Sequence, residues 1–165
     1  MNTKLLSLLL VLALMIPALG LTESAVMLPN PVREATREEV LEATGANLLV
    51  PEEATEVSYS LIEVPDQEPL GQVRFVYQQA EYLFRAQQGN DPADISGMYL
   101  DWDTVTQAEK APFSGTICLD ESGDGIALWR YEKEGYNFAL VMFNAATEDG
   151  LLEMSALLLP DLGEA

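Results

Sequence analysis

The sequence predicts an α+β domain in which a curved antiparallel sheet of about six strands is flanked by a short helix at each end. Three observations support this class. Apolar residues in the middle of the chain recur at every second position, which is the period of a strand. Short turns separate these runs, so consecutive strands should pair antiparallel. Helix-starting signals precede and follow the strands, as is typical of α+β domains.

The first 20 residues are typical of a signal peptide. Lys4 is the only charged residue before Glu23, and an apolar run from Leu5 to Ile16 is followed by small residues. Signal peptides have this order of charge, apolar core and cleavage site, and the run is too short to cross a bilayer as a helix. We therefore expect cleavage after Gly20, a secreted or extracytoplasmic location, and no stable membrane span in the product.

The rest of the chain divides into three parts. Residues 21–35 contain prolines and little periodicity, which predicts an extended leader. Residues 36–160 are expected to form a single domain, because this length supports one hydrophobic core and is too short for two. Residues 161–165 are a predicted tail.

Capping signals and alternating residues predict the elements of the domain. Thr36 and Glu39 have the spacing of a capping box, which predicts the start of the first helix, and Gly45 predicts its end. Thr147 is expected to cap a last helix that runs to about Leu158. Between the helices, strand character is predicted for residues 55–61, 73–77, 82–86, 98–103, 115–119, 126–131 and 136–143.

The charge of the chain limits its partners. There are 27 acidic and 8 basic residues, which give a formal charge of −19. Nucleic acids and anionic lipid headgroups bind through rows of Lys and Arg, so neither is expected here. The expected partner is an unknown protein or a small ligand. The single cysteine, Cys118, has no internal disulfide partner and lies in an apolar run, which predicts a buried thiol.

The sequence contains no histidine, and this limits its chemistry. Nucleophiles that depend on a histidine base are excluded, as is histidine-ligated zinc. The turn at residues 120–125 has acidic residues at calcium-loop spacing, but Tyr131 occupies the position where a calcium loop has its bidentate glutamate. We therefore predict no catalytic residue, no metal site and no cofactor.

Two features near the middle of the chain define a candidate structural or binding segment. Alternation would place Asp101 and Asp103 on one face of a strand beside Trp102. Paired carboxylates are the groups that glycoside hydrolysis uses. The expected interpretation is nevertheless that both side chains lie on a solvated face. Arg85 should face away from its apolar neighbours, pair with Asp94 or Asp101, and hold the segment that ends at Tyr99 against the sheet. The candidate residues are Arg85, Asp94, Tyr99, Asp101, Trp102 and Asp103.

Several short motifs carry a resemblance to a known family. They are Asn47-Leu48-Leu49-Val50-Pro51, Val73, Phe75, Tyr82-Leu83-Phe84-Arg85-Ala86, Asp94-Ile95-Ser96-Gly97-Met98-Tyr99, Ala127-Leu128-Trp129 and Asn137-Phe138-Ala139-Leu140. With these motifs, residues 38–157 resemble a domain of unknown function that is common in small secreted proteins and anti-sigma-factor-like membrane proteins of Clostridia-type bacteria. The resemblance implies an α+β extracytoplasmic domain and supplies no catalytic residue.

These observations predict a non-catalytic extracellular or envelope binding module. Two alternatives stay open at this point. One is a carboxylate-dependent hydrolase that acts on envelope polysaccharide. The other is a carrier that holds an apolar or cationic ligand against the concave face of the sheet.

Overall fold

A computed structural model describes residues 31–110 and 113–158 of the chain. The predicted signal peptide, most of the predicted leader and the predicted tail lie outside the described residues. The helices and strands in chain order are β1 Val32–Ala35, α1 Arg37–Thr44, β2 Thr55–Ile62, β3 Leu70–Tyr77, β4 Ala80–Gln88, β5 Thr104–Lys110, β6 Phe113–Leu119, β7 Gly125–Tyr131, β8 Tyr136–Phe143 and α2 Glu148–Leu157.

The described strands form one open antiparallel sheet, in the order β1-β2-β3-β4-β8-β7-β6-β5. Two four-stranded meanders, β1 to β4 and β5 to β8, therefore meet where β4 pairs with β8 at the centre of the sheet. The predicted α+β class and the antiparallel pairing are confirmed. The predicted number of strands is wrong, because the described part of the chain contains eight strands rather than about six.

Two strands differ from the predicted ones, one by addition and one by position. Val32–Ala35 lies in the predicted leader but pairs with Ile62–Tyr59 of β2, so its extended conformation comes from a distant partner. Residues 98–103 alternate like a strand yet form none, and the strand instead begins at Thr104 and pairs with β6. Whether each segment becomes a strand depends on the distant segment with which it pairs. A local pattern of residues carries no information about that partner.

Both helices cover the same face of the sheet. Helix α1 contacts β2, β3 and β4, and helix α2 contacts β5 to β8. Under the helices, the rings of Phe84, Trp129 and Phe138 stack across β4, β7 and β8, with centroids 5.4–6.1 Å apart. Leu151 and Val40 are fully buried against this face. Large stacked rings on neighbouring strands therefore form the core, which the two helices close.

The opposite face of the sheet is partly covered by the connection from β4 to β5, residues 89–103, which we call the crossing segment. It has to cross the sheet because β4 is central and β5 is an edge strand. Met98 and Trp102 of this segment pack against a small buried cluster of Cys118, Ile126 and Val141. The predicted burial of Cys118 is confirmed. Burial raises the pKa of its thiol, which makes it a weak nucleophile.

The capping box predicted for the first helix is present. The Thr36 hydroxyl accepts a hydrogen bond from the Glu39 amide at 3.2 Å, and the Glu39 carboxylate accepts one from the Thr36 amide at 2.7 Å. Gly45 follows the helix with a φ of 73°, a left-handed conformation that glycine adopts without strain. No helix in residues 31–110 and 113–158 is long and apolar enough to cross a membrane.

Replacing Thr36 with alanine should lower the free energy of unfolding by about 1 kcal/mol, because the Glu39 amide loses its acceptor. Thr36→Ser keeps the hydroxyl and should retain most of the stability. Urea denaturation of the three proteins measures the difference. Equal losses in the alanine and serine variants would show that the methyl group, rather than the cap, provides the stabilisation.

Candidate functional site

Arg85 lies at one end of a polar row that crosses three strands on the face opposite the helices. Its Nε donates to Gln72 Oε1 at 3.0 Å, and Gln72 Nε2 donates to Ser60 Oγ at 2.8 Å. Ser60, Gln72 and Arg85 are direct cross-strand neighbours on β2, β3 and β4. The row therefore fixes the orientation of the Arg85 guanidinium before it contacts anything outside the sheet.

The same guanidinium holds the crossing segment. Arg85 Nη1 donates to the carbonyl oxygens of Ile95 at 3.1 Å and Ser96 at 2.7 Å. Gly97 follows with a φ of 71°, and a Cβ on this residue would collide with Arg85 Nη1. Only glycine lets the backbone lie this close to the guanidinium in this conformation.

The predicted pairing of Arg85 with Asp94 or Asp101 is wrong. Within the described residues, Arg85 forms no ion pair, and its partners are the two backbone carbonyls and Gln72. The Asp94 carboxylate instead accepts a hydrogen bond from the Ser96 amide at 2.8 Å, which closes a local turn. Arg85 does contact the predicted segment, but through its backbone.

Burial lowers the pKa of the Arg85 guanidinium, and the nearby Tyr99 and Asp94 act in the opposite direction. An arginine stays protonated at all ordinary pH values even after such a shift. A positive charge is therefore held permanently in the half-buried space beside the crossing segment.

A second anchor was not found from the sequence. Arg130 donates from Nη1 to the Asp91 carbonyl at 3.0 Å and from Nη2 to the Asn90 carbonyl at 2.9 Å. Asn137, which is almost fully buried, donates to the same Asp91 carbonyl and accepts from the Ala93 amide at 3.2 Å. The sequence did contain a signal for this anchor, because Asn137 lies within the apolar run of β8 and a buried side-chain amide needs hydrogen-bond partners.

The crossing segment displays apolar side chains toward solvent. Tyr99 is 97% exposed, and the neighbouring Leu100 is 40% exposed. On the adjoining edge strand, Val105 is 61% exposed. Trp102, by contrast, is half-buried against the sheet. The segment thus has its backbone and one indole held on the protein, and its tyrosine free to contact a partner.

The two aspartates proposed as a carboxylate pair do not share a strand. Asp103 accepts a hydrogen bond from the Glu121 amide at 2.8 Å and so stabilises the turn after β6. Asp101 lies on an irregular, exposed part of the crossing segment. The predicted strand is therefore absent, but both carboxylates are exposed and Trp102 between them is half-buried, as expected for a solvated face. In the part of the chain that the structure describes, no group of three His, Cys, Asp or Glu residues is placed to hold a metal ion.

The crossing segment leaves a cleft on each side. One cleft, of about 290 Å³, lies toward β2 and β3 and includes Arg85 and Tyr99. The other, of about 560 Å³, lies toward β6 and β7 and includes Arg130 and Leu128. Asp94 lines both. Each cleft thus contains one of the two arginines that anchor the segment.

Comparison with known proteins gives no match to this chain among family models, curated proteins or solved structures. The resemblance to the Clostridia-type domain therefore stays a prediction from the motifs.

Proposed function

We propose that this protein is a non-catalytic extracytoplasmic binding module whose partner contacts the crossing segment. The observation that carries this proposal is Tyr99, which is almost fully exposed on a segment held by Arg85 and Arg130. A tyrosine supplies a large contact area at low entropic cost, and tyrosines are enriched at binding hot spots. Anchoring the backbone beforehand reduces the ordering that binding would otherwise require.

The arrangement of the other groups favours binding over catalysis. A carboxylate-dependent hydrolase needs two acids that flank one substrate bond. Here the Asp103 carboxylate already accepts a hydrogen bond from the Glu121 amide, and both Asp101 and Asp103 are exposed on an irregular segment. A carrier would need open space against the sheet, and the helix-covered face offers none at Phe84 and Phe138, which are fully buried in a stacked cluster. The face that carries the crossing segment is the better candidate for ligand contact.

Photo-crosslinking tests the proposed contact surface. A benzophenone amino acid replaces Tyr99 in one protein and Glu52, an exposed residue in the turn before β2, in the control. Both proteins are produced in the source cells and irradiated there. We expect a discrete adduct from position 99 and none from position 52. Adducts of the same size from both positions, or from neither, would contradict the proposed surface.

An activity screen tests the non-catalytic part of the proposal. The purified protein should turn over none of a panel of glycoside, ester and peptide substrates. Reproducible turnover that is lost in Asp101→Asn or Asp103→Asn would establish a hydrolase instead.

A further inference from the structure

Arg85 and Arg130 differ from the other arginines in their partners. Each of Arg33, Arg37 and Arg74 has a glutamate oxygen within 3.8 Å. Arg85 and Arg130 contact only neutral oxygens of the described residues, although the chain has 27 acidic side chains. Neither of these two charges has a contacting carboxylate among residues 31–110 and 113–158, and each lies in a cleft beside the crossing segment.

Arg85 also has donors available. A guanidinium has five N–H groups in a planar fork. Nε is used by Gln72, and Nη1 is used by the carbonyls of Ile95 and Ser96, which leaves the Nη2 group without a partner among the described residues. Arginine favours planar acceptors such as a carboxylate, with which it forms short, charge-assisted hydrogen bonds.

The remaining walls of this cleft combine two kinds of side chain. Ile62, Val64 and Leu70 provide an apolar wall from β2, β3 and the turn between them. Two acidic residues, Glu68 and Asp94, also line this cleft. The volume of about 290 Å³ lies at the lower end of the range for small-molecule sites. A small ligand with both charges and one apolar group matches this set.

We infer that the Arg85 cleft binds a free α-amino acid with an apolar side chain. The α-carboxylate contacts Arg85, the α-ammonium lies toward Asp94 and Glu68, and the side chain packs on the apolar wall. A zwitterion has no net charge, so the −19 charge of the chain does not repel it as it would repel a simple anion. This inference rests on the proposed function, because it assigns a ligand class to the same face of the sheet.

Calorimetric titration with leucine, N-acetyl-leucine and leucinamide tests each charge separately. Leucine should bind at millimolar concentration or below. Loss of either charge should weaken binding about tenfold or more, because each removes a charged hydrogen bond. Absence of leucine binding would overturn the inference. Equal binding of leucine and N-acetyl-leucine would also overturn it, because the site would then recognise any apolar carboxylate and not the α-ammonium group.

Matched variants locate the binding. Val64→Asp places a negative charge on the apolar wall at an exposed position, so the fold should tolerate it, and leucine binding should fall at least about tenfold. Val57→Asp makes the same change at a similarly exposed valine outside the cleft and should leave binding unchanged. Equal effects of the two variants would refute the assigned cleft.

The Tyr99 cross-link gives an independent result. If leucine fails to bind while the position-99 adduct persists, the amino-acid inference fails and the proposed binding module stands. If both fail, the proposed function fails as well.

Discussion

Replacing Phe138 with alanine should lower the free energy of unfolding by about 3–5 kcal/mol, the largest effect expected for a single side chain here. Phe138 is fully buried in β8, and its ring contacts Trp129 at 5.4 Å and Phe84 at 6.1 Å between centroids. It also touches Tyr131 and Tyr136. Its removal would leave a cavity at the junction of the two meanders, where rigid aromatic neighbours collapse poorly.

Phe143→Ala is the matched control for this change. Phe143 is in the same strand but on the opposite face, half-buried, with Arg74 placed 5.2 Å from its ring centroid. We expect it to cost clearly less than Phe138→Ala, because part of its surface already faces water. Chemical denaturation of both variants gives the comparison. Similar losses would show that the stacked cluster does not dominate the stability of the sheet.

Arg85→Met should lower the free energy of unfolding by about 3 kcal/mol. Three acceptors lose their donor at once: Gln72 Oε1 and the carbonyl oxygens of Ile95 and Ser96. Hydrogen bonds from a charged donor contribute about 1.5–3 kcal/mol each, and partial hydration of the released segment should reduce the sum. The crossing segment should also become more sensitive to proteolysis, since its main anchor is gone.

Arg74→Met is the control for this second prediction. Arg74 lies on the neighbouring strand and the same face, but it forms an exposed ion pair with Glu81 at 2.7 Å. Such pairs contribute less than about 1 kcal/mol, and the contact of Arg74 with the Phe143 ring adds at most a similar amount, so this variant should lose clearly less stability than Arg85→Met. Comparable losses in Arg74→Met and Arg85→Met would contradict the anchoring role of Arg85.

A double-mutant cycle tests Asp101, the other carboxylate that the sequence assigned to Arg85. Because the Arg85 acceptors are Gln72 and two backbone carbonyls, the losses from Arg85→Met and Asp101→Asn should add to within about 0.5 kcal/mol. A larger coupling energy would indicate that Asp101 pairs directly with the guanidinium.

The parts of the fold that depend on local chemistry could be predicted from the sequence. The Thr36 capping box needs only residues three apart, and the alternation of Phe84, Arg85 and Ala86 assigns each side chain to a face. Alternation failed at residues 98–103 for a physical reason. Met98 and Trp102 pack on the sheet while Tyr99 faces solvent, so the period of two reflects burial of an irregular segment rather than strand pairing.

The candidate site was predictable only in part. The face of the sheet on which the Arg85 side chain lies follows from strand alternation. Its acceptors are backbone carbonyls, which every residue has, so no sequence pattern identifies them and carboxylates were predicted instead. Arg130 and Asn137 contact residues about 40 positions away, and no pattern along the chain relates such distant partners. The clefts depend on both anchors and could not be predicted without them.

The central pairing of β4 with β8 also constrains how the chain acquires its structure. Each meander can form through short hairpins, whereas the β4–β8 pairing joins residues 48 to 62 positions apart and incurs a larger loop-closure entropy. Since β8 is the last strand among the described residues, β4 exposes Phe84 and an unpaired edge until β8 has been synthesised. Such an edge is a template for intermolecular association, so a chaperone that shields β4 would raise the yield of native protein.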